Sequence, residues 1–114
     1  MSDCIFCKIR DGSIPATIVH RDEICLAFED VDPAAPRHIV IIPSEHIATL
    51  NDITAKNAET IGHIFMIAAE LAVRLNIADS GYRIVTNCNA DGGQEVFHVH
   101  FHLIGGRKLA WPPG

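Results

Sequence analysis

Apolar positions along this chain change their spacing twice, and each change marks an element. Residues 17–20 and 25–31 are short apolar-rich runs on either side of the charged turn Arg21-Asp22-Glu23. Two such runs around a polar turn predict a hairpin. Residues 38–42 are densely β-branched and closed by Pro43, which predicts a third strand. The stretch Asp32-Pro33-Ala34-Ala35-Pro36 between them predicts a loop. Upstream, residues 3–10 predict a short helix, with Ser2 or Asp3 as its cap and Gly12 as its stop.

The middle of the chain moves to a helical period. Ile61, Ile64, Phe65, Ala68, Leu71, Ala72 and Leu75 recur in steps of three and four, which predicts a long helix over 54–76. Thr54 or Asp52 suits its N-terminus, and Gly81 follows its end. Ile67, Ala69 and Val73 lie off this stripe, so the helix carries a second apolar surface, suited to a partner subunit. Period two then returns. Residues 82–86 predict a strand, Asp91-Gly92-Gly93-Gln94 a loop, and residues 97–104 a strongly alternating strand stopped by Gly105-Gly106. The interval 86–97 is too short for a helical crossover, so these two strands are expected to run antiparallel. The sum is an α+β fold: a single domain over 1–114, about five antiparallel strands, one long and one short helix, with the helices on one face.

Composition narrows the function. A chain of 114 residues with 48% hydrophobic and 20% charged residues builds a core and is not disordered. Nine Lys and Arg against fourteen Asp and Glu leave a net charge of −5, without the basic footprint that nucleic acid requires. The longest apolar window, residues 64–73, is interrupted by Glu70 and is too short for a bilayer, and the start shows no signal-peptide pattern. Four cysteines are too few for a disulfide scaffold. A reducing, cytoplasmic setting with neither a membrane nor a nucleic-acid partner is expected.

The run Phe97-His98-Val99-His100-Phe101-His102-Leu103 is the most informative stretch. On a strand its three histidines share one face, about 7 Å apart, while Phe97, Val99, Phe101 and Leu103 share the other. Packing does not call for three imidazoles in a row. Two chemistries do: a metal held by alternating histidines with a further ligand, or one nucleophilic imidazole oriented by its neighbours. Near the N-terminus Cys4 and Cys7 make a C-x-x-C pair, which suits half a tetrahedral zinc site, a redox pair, or two reduced thiols. The redox reading wants a βαβ context, and none follows. Cys25 and Cys88 read as buried small hydrophobes, and His20 and His63 as surface or packing residues.

The histidine run, followed by Leu103-Ile104-Gly105-Gly106, closely resembles the motif of the histidine triad (HIT) family of nucleotide hydrolases and transferases. The resemblance covers nearly the whole chain: Cys4 to Ile9, Phe28-Glu29-Asp30, the element from His38 through Pro43 to His46, and Asp91-Gly92-Gly93-Gln94. The ending, Gly105-Gly106-Arg107 through Trp111-Pro112-Pro113-Gly114, is similar to the purine nucleoside phosphoramidase branch. The resemblance implies a HIT-like fold, a homodimer, and a hydrolase for adenosine or guanosine 5′-phosphoramidates acting through a covalent nucleotidyl-histidine. His100 would be the nucleophile, His102 a hydrogen-bond donor to phosphate oxygens, and His38 and His98 the rest of the histidine cluster. Phe28 and Val31 would flank the base and Asp30 would hold the ribose. Asn87 and the backbone N–H groups of Gly93, Gln94, Glu95 and Val96 would hold the phosphate. Glu95 stands where that branch often carries Ser, which bears on rate and leaving group rather than on reaction class. Zinc-bearing members imply Cys4, Cys7, His46 and His98 as ligands of a structural zinc, with hydrolysis itself independent of metal. Two rival readings remain, a dinucleoside polyphosphate hydrolase and a nucleotide-binding interaction protein with little turnover; a fourth, a metal-dependent hydrolase, predicts activity lost on chelation.

Overall fold

A computed structural model describes residues 3–114. Five antiparallel strands form one sheet: β1 (Ile18–Arg21), β2 (Cys25–Glu29), β3 (Arg37–Pro43), β4 (Tyr82–Val85) and β5 (Phe101–Gly105), in the order β1-β2-β3-β5-β4. Helix α1 spans Ile5–Arg10, α2 spans Ala58–Arg74, and a short α3 spans Asn89–Gly92. Between β3 and β4 the chain crosses over through α2, and β5 then inserts between them, so the histidine-bearing strand lies inside the sheet.

Alternation along the strands sends side chains to two separate apolar clusters. Cys25 and Ala27 of β2, Ile39 and Ile41 of β3, and Phe101 and Leu103 of β5 meet Ile64, Ile67, Ala68, Leu71 and Ala72 of α2. On the other face Leu26 and Phe28, with Val40 and Ile42, meet Phe6 and Ile9 of α1. The helices therefore cover both faces, and not one as expected. Strands β2 and β3 read as nearly unbroken apolar runs because both of their faces are buried.

The long helix is shorter than its periodicity predicts. Thr49 and Thr54 each cap a 3-10 turn (Leu50–Asp52 and Ala55–Asn57), and α2 begins only at Ala58. Thr54 caps a helical turn as expected, whereas Asp52 ends the first turn and accepts from its cap, Thr49; these first turns wind too tightly to be α-helix. At the far end Asn76, with φ 61°, takes the left-handed position and the Ile77 amide reaches back to the Ala72 carbonyl, so Asn76 stops the helix, and Gly81 follows further on. The buried stripe is also rotated from the expected one. Ile67 is inside, and Phe65 is 46% exposed at the stripe's edge, where its ring meets Phe101 edge-on at 5.6 Å. Helix α1 is capped by the sulfur of Cys4; Asp3 does not cap it, and Ser2 lies outside the described residues.

The last strand starts late. Residues 97–100 are not paired in the sheet, and Phe97 is 50% exposed instead of core. The register β3–β5 pairs Ile41 with Phe101 and so brings Pro43 opposite Val99. Pro43 has no N–H to donate, so the ladder stops there. The Val99 amide donates instead to the Ile47 carbonyl at 2.6 Å. Inward-outward alternation nevertheless persists from His98 to Leu103, with Val99, Phe101 and Leu103 in the α2 cluster. Among the described residues no helix is long and apolar enough to cross a membrane.

Leu71 is completely enclosed between α2 and the sheet. Leu71→Ala is expected to cost about 2–5 kcal/mol of folding stability, read by urea denaturation, with the fold retained.

Candidate active site

The sheet face opposite α2 carries a cavity of about 570 Å³. Its floor is Val40, His100 and His102; its walls are α1 with residues 14–16, the end of β2 through Val31, and the α3 loop. The register sets the floor: Val40 pairs with His102, and period two puts both on this face. Phe28, Asp30, Val31, Asn87, Gly93, Glu95, Val96, His100 and His102 all line it. Its N-terminal wall (Ile5, Phe6, Ile9, Ile14, Pro15, Ala16) was not anticipated from sequence. The only trace of it there is the i, i+1, i+4 apolar pattern on a helix of six residues.

Carbonyl oxygens and amides set the protons on the histidines. His100 Nδ1 lies 2.8 Å from the His98 carbonyl, which can only accept, so Nδ1 carries the proton and Nε2 keeps its lone pair. The His100 ring is clamped edge-on by Phe6 at 5.0 Å, and its carbonyl accepts from Thr86 Oγ1 at 2.8 Å. A second chain begins at the Ala34 amide, which donates to His38 Nδ1 at 3.0 Å. His38 Nε2 therefore holds the proton. It donates to His102 Nδ1 at 2.8 Å, with Asp30 Oδ2 also at 3.3 Å. His102 is left with its N–H at Nε2. One histidine in the cavity thus offers a lone pair and its neighbour offers a donor. Burial holds both imidazoles on the neutral side: it pushes His100 below its ordinary value, against the pull of the His98 carbonyl and Asp30. Burial, with His100 and His38 nearby, pushes His102 down to about 4.

The segment after α3 lines the cavity through Gly93, Glu95 and Val96. Gly93 sits at φ 78°, where a Cβ would be strained, and ends α3. Its amide and that of Gln94 turn back to the Ala90 and Asn89 carbonyls, so these two N–H groups are spent inside the protein. The Gln94 side chain also points inward, with Oε1 accepting from the Asn89 amide and Nε2 donating to the Ala48 and Val96 carbonyls. Of the four expected amides, those of Glu95 and Val96 remain for a ligand. Asn87 Nδ2 braces the same loop through the Gly92 carbonyl at 2.6 Å. Among the described residues no Lys or Arg lines the cavity, so an anion entering it would find its donors only in N–H groups and imidazole.

Beside the cavity Cys4, Cys7, His46 and His98 converge. His98, fully buried, donates from Nε2 to the Pro43 carbonyl at 2.8 Å, so Nδ1 presents its lone pair to the cluster. His46 Nδ1 lies 3.2 Å from His98 Nδ1, and the sulfur-to-nitrogen distances are 3.3 Å for Cys4–His98, 3.5 Å for Cys7–His98 and 3.5 Å for Cys7–His46. A tetrahedral ion at about 2.0 Å from nitrogen and about 2.3 Å from sulfur needs edges of about 3.3 Å between nitrogens and about 3.5 Å from nitrogen to sulfur. The four residues can hold a metal. Burial pushes His98 down to about 4, which keeps the imidazole neutral as a ligand must be.

Residues 11–109 match the HIT domain family. The chain belongs to the HIT family. It is a hydrolase of that family. It is 46% identical over 107 residues to the purine nucleoside phosphoramidase of Escherichia coli, covering 94% of this chain and 90% of that protein. An uncharacterized HIT-like protein of Synechococcus elongatus is 48% identical over 112 residues, covering 98% of this chain and 97% of that protein. A HIT family hydrolase from Legionella pneumophila superposes with a TM-score of 0.97 at 50% identity, covering 98% of this chain and all of that one. These likenesses agree with the fold and family expected from the histidine run.

Because His102 is neutral in the fold and titrates near 6.5 when unfolded, its contribution is complete above about pH 6.5 and is lost as pH falls toward about 4. Between pH 7 and pH 5 the wild type is expected to lose about 1 kcal/mol more stability than His102→Gln, a figure reduced for residual water contact. Urea denaturation of both proteins at the two pH values measures it.

Proposed function

We propose that this protein hydrolyses purine nucleoside 5′-phosphoramidates by nucleotidyl transfer to His100. The observation that carries the reading is the opposed protonation of His100 and His102, one lone pair and one donor on the same cavity floor. The relative from Escherichia coli named a purine nucleoside phosphoramidase supports the substrate class.

In the first step His100 Nε2 attacks the α-phosphorus. An N–P bond forms, the P–N bond to the leaving amine breaks, and the amine takes a proton from water. His102 Nε2–H donates to a phosphoryl oxygen where charge builds, with the Glu95 and Val96 amides beside it. In the second step water attacks phosphorus and passes its proton to the hydroxide left by the first step, the N–P bond to His100 breaks with its electron pair returning to Nε2, and the nucleoside monophosphate leaves. Val31 and Phe28 flank the base, and Asp30 accepts from the ribose. The pocket suits a purine by its apolar walls.

Cys4, Cys7, His46 and His98 hold a structural zinc in this reading. Bound zinc would cross-link α1 to the segment ahead of β5. That linkage steadies Phe6 against His100 and the His98 carbonyl that fixes the His100 tautomer.

Brief incubation with adenosine 5′-phosphoramidate, acid-free quenching and mass spectrometry tests the mechanism. The wild type is expected to carry an adenylyl group on His100. His100→Ala carries none, and its turnover falls by about 10³-fold or more. Chelated protein is expected to melt at lower temperature yet still form the adduct. Turnover with no adduct, abolished by chelation, would instead assign metal-activated water.

We also propose a homodimer. Phe65, Met66 and Val73 of α2 stand exposed, and Tyr82 lies on β4, the outer strand of the sheet. Phe65→Asp with Val73→Asp is expected to shift sedimentation from two chains to one; an unchanged species would place the interface elsewhere.

A further inference from the structure

On the α2 side of the sheet, back to back with the active site, three side chains that the proposed reaction does not use meet at the carboxylate of a fourth. His20 comes from β1, Asp22 from the hairpin turn, Cys25 from β2 and His63 from α2. His20 Nε2 and His63 Nε2 lie 2.6 Å and 2.7 Å from Asp22 Oδ2, and Cys25 Sγ lies 3.7 Å from it. The other carboxylate oxygen, Oδ1, is locked by the amides of Ile24 at 2.7 Å and Cys25 at 2.8 Å. Oδ2 is thereby aimed at a fixed point, and two imidazoles and a thiol surround that point. We propose that His20, Asp22, Cys25 and His63 form a second metal site of this protein, for Zn²⁺.

Without an ion, both imidazoles must present N–H at Nε2 to the same oxygen, and the thiol adds a third proton to the group. A divalent cation resolves that crowding. Each neutral imidazole moves its proton to Nδ1 and offers Nε2 as a lone pair. The Cys25 thiol gives up its proton to water as the Zn–S bond forms. The carboxylate binds through Oδ2. Two neutral imidazoles, one carboxylate and one thiolate leave a Zn²⁺ site with no net charge, in a donor set of nitrogen, oxygen and sulfur that zinc accepts.

Geometry allows the change. All four donor atoms lie within 4.8 Å of one another. Tetrahedral edges between nitrogen and oxygen require the imidazoles to move out by about 0.6 Å. They can, because the His20 and His63 side chains are 23% and 21% exposed, and Asp22 is 29% exposed. Cys25 is sealed at the base of the group. An ion entering past the histidines would tie α2 to the β1–β2 turn. The site does not rest on the proposed phosphoramidase activity or on the cluster at Cys4.

The test compares the zinc content of folded, gel-filtered wild type and His20→Gln after equilibration with excess Zn²⁺, by elemental and native mass analysis. Because the difference is read, any ion at Cys4, Cys7, His46 and His98 cancels. Loss of one zinc per chain in His20→Gln is expected, with a fall in the zinc-dependent rise of Tm. Equal zinc content in the two proteins overturns the site. A Co²⁺ titration of Cys4→Ser/Cys7→Ser gives an independent readout. A thiolate-to-cobalt absorption band that disappears on adding Cys25→Ser is expected; no band, or a band that survives Cys25→Ser, overturns Cys25 as a ligand and with it the site as proposed.

Discussion

A carbonyl oxygen accepts hydrogen bonds and cannot donate them, and two carbonyls govern the chemistry of this protein. The Pro43 carbonyl takes the Nε2 proton of His98, which turns the other nitrogen of that ring toward two cysteines and His46. The His98 carbonyl accepts from Nδ1 of His100, which leaves the lone pair of that ring on Nε2. The two rings are consecutive on one side of the chain, yet their roles are opposite in direction. One faces the Cys4, Cys7 and His46 side chains and the other the cavity that holds His102.

Pro43 serves this arrangement twice. Its carbonyl orients His98, and its missing N–H ends the ladder opposite Val99. The chain just ahead of β5 is thereby released from the sheet. Released backbone can bend its His98 ring toward α1 while Val99 still drops into the α2 core. A regular strand through residue 97 would carry the three imidazoles in one straight row, with no fourth ligand in reach of the first. The interruption separates His98, beside the two cysteines, from His100 and His102, which line the cavity.

The acidic balance of the chain is compatible with the proposed anionic substrate because no cationic side chain lines the cavity among the described residues. In the proposed reaction Glu95 and Val96 would contribute backbone amides, and His102 a neutral N–H. Neutral donors in a half-enclosed cavity are worth more than in water and need no counter-ion. The same economy appears in the histidines, which burial keeps uncharged.

Much of this was legible along the chain. Period two around residues 97–104, period 3.6 over the long helix and the turn residues between them specify an α+β sheet, because burial on one side of an element repeats with the geometry of that element. The three alternating histidines, the C-x-x-C pair and the Asp-Gly-Gly-Gln loop announce chemistry that packing alone does not need. What the sequence could not decide was set by partners distant in the chain. Which nitrogen of His100 is free depends on a carbonyl's position. Gly93 and Gln94 lose their amides to α3, a helix too short to leave a periodic signal. The rotation of α2 that buries Ile67 and exposes Phe65 depends on the sheet beneath it. His20 and His63, 43 residues apart in sequence, look like ordinary surface residues until the fold brings both to Asp22. Residue identity determined what each element is and which chemistry it carries; hydrogen-bond direction and long-range contact, which exist only once the chain has folded, decided where that chemistry points.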